Sequence, residues 1–171
     1  NNNGLNQTRE ELKQKFNLIE SKNPYRISDE IIFLGQIDRK NNFEKEQNLP
    51  TWDENGETYQ HLDDTGSVIK TENGLIVISG CAHSGICNTV EYAKKIAEDN
   101  RVLAVIGGFH LKKVDPVEKR DDLIYLAEVL KSYQTVYYTG HCTGEKQFEQ
   151  MKKVLAEQLH AFSTGDVLTI E

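Results

Sequence analysis

From Leu75 onward, short β-branched runs alternate with longer stretches whose apolar residues recur every three or four positions. The runs Leu75 to Ile78, Val102 to Ile106 and Val136 to Tyr138 predict buried strands. Cys87 to Asp99 carries Val90, Ala93, Ile96 and Ala97 on one helical face. Arg120 to Ser132 does the same with Leu123, Leu126, Ala127 and Leu130, and Gln147 to Gln158 predicts a third helix. Three strand-then-helix units in succession predict a parallel sheet with right-handed crossovers. Val167 to Ile170 is expected to close the sheet edge.

The earlier part of the chain reads differently. Thr8 to Glu11 is a capping-box pattern, and Leu12, Phe16 and Ile19 follow at helical spacing. That predicts a helix over about residues 8–20, ending before Asn23-Pro24. Ile31 to Leu34 reads as a strand entering Gly35. Residues 41–66 form a polar connection with a turn signal at Asn55-Gly56. A connection of that length tends to be functional or mobile. Ser67 to Lys70 and Leu75 to Ile78, on either side of Glu72-Asn73-Gly74, predict a hairpin.

At 171 residues the chain suffices for a single domain with its own core, taken as 1–171. The fold class is α/β. A formal net charge of -7 argues against a general nucleic-acid or anionic-membrane surface, so no nucleic-acid and no membrane partner is expected. Longest apolar runs fall well short of the roughly 20 residues that span a bilayer. The three cysteines cannot all pair, and two lie beside histidines, which favours a reducing, cytoplasmic setting over a disulfide scaffold.

The chemistry collects just past the three predicted strands. Each is followed by a Gly-containing segment with a histidine: Gly80-Cys81-Ala82-His83, Gly107-Gly108-Phe109-His110 and Gly140-His141-Cys142-Thr143-Gly144. Carboxyl ends of strands in an open α/β sheet are where ligands gather. Imidazole is the commonest metal ligand, and a neighbouring thiolate suits zinc or iron. His83 is the first candidate, as a metal ligand or direct site residue, with Cys81 either a soft ligand beside it or a buried thiol. His110 follows two glycines and is read as a ligand or, preferably, a catalytic group that hydrogen-bonds or transfers a proton. Strand alternation should turn Phe109 into the core and His110 towards the cleft. Thr143 and the amides around Gly144 open a helix, which offers an anion seat or a simple N-cap. Arg39 is a candidate anion clamp or a solvated surface residue. Cys142 is expected to pack under its turn or lend polar support, with a ligand role as the alternative. His61 and His160 are expected to face solvent.

The stretch Gly74 to Val90, the run Val105-Ile106-Gly107-Gly108-Phe109-His110 and the segment Gly140 to Gly144 resemble the metallo-β-lactamase-fold hydrolases. Within that family they are similar to the dihydropterin ribofuranosyl-aminobenzene phosphate synthase branch, as are Ile32 to Arg39 and Phe43-Glu44. The resemblance covers roughly residues 8–171. It implies the C-terminal half of an αββα sandwich and a metal-dependent hydrolase, or related transferase, acting on a small anionic molecule. One or two divalent ions are implied, zinc first, with iron or manganese as alternatives. His141 takes the place of the family's last metal ligand, and Cys81 a place where relatives carry a bridging carboxylate. The family's first motif, His-x-His-x-Asp-His, is not found, since no two of the five histidines are spaced His-x-His. The chain is therefore expected to hold only part of the site. Either a missing N-terminal segment or self-association would complete it, and a noncatalytic anion-binding module or a structural half is the alternative.

Overall fold

A computed structural model describes residues 6–44, 51–52, 56, 58–59, 61–112 and 114–170. Seven strands form one sheet in the order β1-β2-β5-β6-β7-β8-β9. They are β1 (Tyr25–Arg26), β2 (Ile31–Phe33), β5 (Gly66–Lys70), β6 (Leu75–Ser79), β7 (Val102–Gly107), β8 (Val136–Thr139) and β9 (Leu159–Ala161). A separate two-stranded hairpin, β3 (Thr51–Trp52) with β4 (Thr58–Tyr59), lies within the polar connection. Asn55 of the expected turn lies outside the described residues.

The sheet changes character at β6. From β1 to β6 the pairs are antiparallel, and β5–β6 is the predicted hairpin, with Lys70 opposite Leu75. From β6 to β9 every pair is parallel, because a helix follows each of β6, β7 and β8. These are α2 (Ile86–Ala97), α3 (Arg120–Ser132) and α4 (Glu145–Leu155). Helix α2 packs on β5 and β6, and α3 packs against α4. Alternate strand residues Val68, Leu75, Val77, Val105 and Tyr137 join Val90, Leu126, Leu130 and Met151 in one buried cluster.

The other set of alternating positions is less covered. Ile78, Ile106, Tyr138 and His160 lie side by side across four strands. Ile78 is 38% exposed, and the other three are half-buried. His160 therefore does not simply face solvent. Its ring stacks on Tyr138, with centroids 5.3 Å apart.

Two expectations at the chain's ends are corrected. Helix α1 (Arg9–Lys15) has the predicted capping box at Thr8 and Glu11 but stops well short of residue 20. None of its residues is buried, so its apolar stripe gains nothing from packing, and a helix this short is marginal on propensity alone. Similarly, Val167 to Ile170 does not close the sheet. The edge strand is β9, whose Leu159 is fully buried, whereas Val167 is 91% exposed and finds no cover.

One carboxylate ties the polar connection to the sheet. Glu44 is buried and accepts hydrogen bonds from the backbone amides of Cys87 and Asn88, each 2.9 Å long, in the first turn of α2. Gly85 supplies the helix's N-cap position but no side chain, so Glu44 serves its unpaired amides from 41 residues away (85 minus 44). A Cβ at Gly85, whose φ is +95°, would overlap the Glu44 carboxylate. Asn41 adds a third donor to that carboxylate. Asn88 returns the link, its Oδ1 accepting from the amides of Lys40 and Asn41.

Removing this clamp should be costly. Glu44→Ala is expected to lower stability by about 2–3 kcal/mol in urea titration, the scale of hydrogen bonds to a charged group. Burial raises the Glu44 pKa, although its three hydrogen bonds oppose the shift. The folded state thus holds the proton more tightly than the unfolded chain. Stability from this group is full below its ordinary pKa of about 4.5 and is lost as pH rises through the folded value. Glu44→Gln should flatten that segment of the stability–pH curve.

Candidate functional site

Parallel pairing sets the ends of β6, β7 and β8 flush. Ile78 lies opposite Ile106, and Gly107 opposite Thr139, so the three histidine segments emerge from one sheet edge. Buried hydroxyls fasten two of them. Thr139 Oγ1 donates to the Gly107 carbonyl (2.8 Å) and also meets Thr143 Oγ1 (2.6 Å). Thr143 Oγ1 in turn accepts from the Phe109 amide at 3.0 Å. Thr143 is buried, so its hydroxyl serves this scaffold rather than standing open as a substrate group. Gly144, half-buried, occupies the N-cap of α4 with φ +84°.

Two clusters result. The first joins Cys81, His141 and Cys142, whose ligand atoms all lie within 4.8 Å of one another. Cys81 Sγ is 3.7 Å from His141 Nδ1, and Cys142 Sγ is 3.6 Å from the Cys81 carbonyl. His141 is exposed, and the two cysteines are half-buried. Gly108 makes room for this cluster, because a Cβ there would stand 2.5 Å from Cys142 Sγ. Burial pushes the Cys142 thiol up to about 11, against the lowering effect of the His110 backbone amide and with Cys81 adding to the rise.

The second cluster is a run of imidazoles. His83 packs against His110 with ring centroids 4.2 Å apart and against His61 at 4.3 Å. Phe109 is fully buried, and His110, past the end of β7 with a left-handed backbone (φ 52°), packs on His83. His83 is held below the usual histidine pKa, first by burial and then by His61, with Asp64 and Asp63 acting the other way. It is therefore neutral at pH 7, the form that accepts hydrogen bonds or ligates metal.

The loop bearing His83 is braced from outside. The Ser84 amide donates to Asp64 Oδ2 at 2.8 Å. Arg39 Nε donates to Ser84 Oγ at 3.4 Å, and its Nη2 donates to the His61 carbonyl at 3.1 Å. Arg39 thus sits beside the histidine run. Four residues around the site are left-handed without being glycine: His61 (φ 48°), Ala82 (55°), His110 (52°) and His141 (52°). Histidine is among the residues that enter this region more often than most, yet such clustering marks sites where surrounding structure enforces a conformation.

Of the sequence candidates, Cys81 and His141 come together directly, and His83 and His110 come together beside them. His83 is not among the three residues whose donor atoms converge within 4.8 Å. Cys142, for which packing was the first expectation and ligation the alternative, joins that trio; its position next to His141 is the signal. His61, expected in solvent, is half-buried and packs edge-on with His83. Nothing in a polar loop announces such a contact.

No family model matches the chain. A search of curated proteins finds 7,8-dihydropterin-6-methyl-4-(beta-D-ribofuranosyl)-aminobenzene-5'-phosphate synthase of Methanocaldococcus jannaschii, 39% identical over 150 residues, covering 82% of this chain and 50% of that protein. An uncharacterized protein of the same organism is 33% identical over 159 residues, covering 93% of the chain and 56% of the relative. The chain thus spans about half the length of the curated relatives it matches. Among solved structures, a metal-dependent hydrolase of the beta-lactamase superfamily superposes with a TM-score of 0.67 at 26% identity, covering 90% of this chain and 58% of that one. The fold is that of the metallo-β-lactamase superfamily. In this fold the cysteine and histidine trio lies just past the ends of β6 and β8.

Gly108→Ala isolates the geometry of this trio. The added methyl group should displace the Cys142 thiol and cost about 1–3 kcal/mol by overpacking. Thermal denaturation measures the cost, and faster reaction of Cys142 with a thiol reagent reports the displacement.

Proposed function

We propose that the chain is the metal-bearing part of a hydrolase, or related transferase, that acts on a small anionic ester, lactone or phosphoryl compound. One observation carries this reading. Two thiols and an imidazole from the ends of β6 and β8 converge within 4.8 Å, beside the histidine run. The donor chemistry fits a soft or borderline divalent ion, zinc first and iron next, better than manganese. Cys81, Cys142 and His141 would hold it, with His83 within reach of the same edge. When bound, such an ion lowers the pKa of its water towards about 7 and polarises the substrate oxygen.

The chain's own residues supply the rest. Held neutral, His83 offers a lone pair. His110, packed on His83, would hydrogen-bond the substrate oxygen or return its proton, while Arg39 would draw the anion to the cleft. The half-covered row of Ile78, Ile106 and Tyr138 supports a reading in which a further segment, or a second copy, packs on this sheet face and completes the site. Binding without catalysis is the alternative, and inorganic phosphate binding unaffected by metal would favour it.

Cobalt(II) titration tests the metal reading, since thiolate ligation gives an intense charge-transfer band. The band should appear in the chain and vanish in a Cys81→Ser, Cys142→Ser double variant. Its persistence there would remove both sulfurs from the ligand set. Turnover of a chromogenic phosphodiester by the chain alone should be near background. In a form joined to a segment bearing His-x-His-x-Asp-His it should rise. There His110→Ala should keep its metal while losing 10²–10⁴-fold in rate, the usual share of a general acid–base group.

A further inference from the structure

The two half-buried sulfurs of the trio have a chemistry of their own. Cys81 and Cys142 are 61 residues apart in sequence (142 minus 81), yet their Sγ atoms lie within 4.8 Å. Neither belongs to a strand; both sit in the turns that follow β6 and β8. A disulfide needs the sulfurs to close to about 2.05 Å, and they start within 4.8 Å of one another. The third cysteine is no competitor. Cys87 is buried in the first turn of α2, outside the group.

We propose that Cys81 and Cys142 close an intrachain disulfide under a two-electron oxidant, and that this bond and a bound metal exclude one another. The inference rests on the metal reading above for its second half only. In the closing step each thiol gives up one proton and one electron, the Sγ–Sγ bond forms, and the oxidant takes up both. With an azo compound the N=N bond becomes a hydrazine; with hydrogen peroxide the O–O bond breaks and two waters result. The metal needs the same two sulfurs as thiolates, so a sulfur in the disulfide is lost to it, and a sulfur on the metal is shielded from oxidation. His141 would be left as the trio's one remaining donor. The site would thereby lose its metal affinity in oxidising conditions and regain it on reduction.

Diamide treatment of the chain, with and without prior zinc, tests both halves. Thiols are counted after denaturation, and non-reduced peptides are read by mass. The metal-free chain should fall from three thiols to one, with a peptide linking Cys81 to Cys142; zinc-loaded chain should keep three. Dithiothreitol should restore both the thiols and zinc uptake. Cys81→Ser, treated alike, should keep its two thiols. Retention of three thiols by the metal-free chain, or a link through Cys87 or between chains, overturns the disulfide whatever zinc does. Closure at the same rate in a chain that demonstrably holds zinc overturns the exclusion while leaving metal binding intact. A chain that closes the disulfide and binds no zinc upholds the link, and it sinks exclusion together with the metal reading.

Discussion

The parallel register of β6, β7 and β8 is the constraint on which everything near the site depends. Because Ile78 pairs with Ile106 and Gly107 with Thr139, three chain segments leave the sheet at one level. A slip of one residue in either pair would carry the slipped strand's buried side chains to the other face of the sheet. The slip is opposed from both sides. Leu75, Val77, Val105 and Tyr137 need the buried face, and the Thr139 and Thr143 hydroxyls pin Gly107 and Phe109 where the strands end. Sheet packing and a buried polar chain thus specify the same alignment.

Around that edge, the chain uses side chains to finish what helices leave open. Helices α2 and α4 both begin with glycine at the N-cap, so neither caps itself. For α2 the missing acceptor is Glu44, from a connection otherwise rich in polar residues. The same connection contributes Asp64 to the Ser84 amide and His61 to an edge-on contact with His83. Mechanical support for the His83 loop and one wall of the site therefore come from a single stretch of chain. This links the stability of the polar connection to the shape of the cleft.

Much of this was legible in the sequence. Periodicity alone yields the hairpin, the three parallel units and α3 to the residue, because those elements bury complete apolar faces. The strand-end histidines were visible because three Gly-containing segments, each with a histidine, follow three β-branched runs. What escaped had no local signature. Glu44 stands out only through the family resemblance, and its burial follows from where α2 begins. His61 lies in a loop whose path the sequence does not fix. Val167 to Ile170 has strand-like residues, but Leu159 already fills the edge, and a pattern cannot report that a place is taken. Cys142 could be seen beside His141, though which way its sulfur turned depended on the space left by Gly108.

The left-handed backbone at Ala82, His110 and His141 sets the site against the fold that carries it. An L side chain in that region costs roughly 1–2 kcal/mol relative to glycine, and three such residues stand at one sheet edge. Glycine at His110 or His141 would relax the chain while erasing an imidazole. Selection for thermostability alone would therefore drift towards a sturdier protein with an empty cleft. At those two positions the imidazole and the backbone strain come together, so neither can be changed without the other.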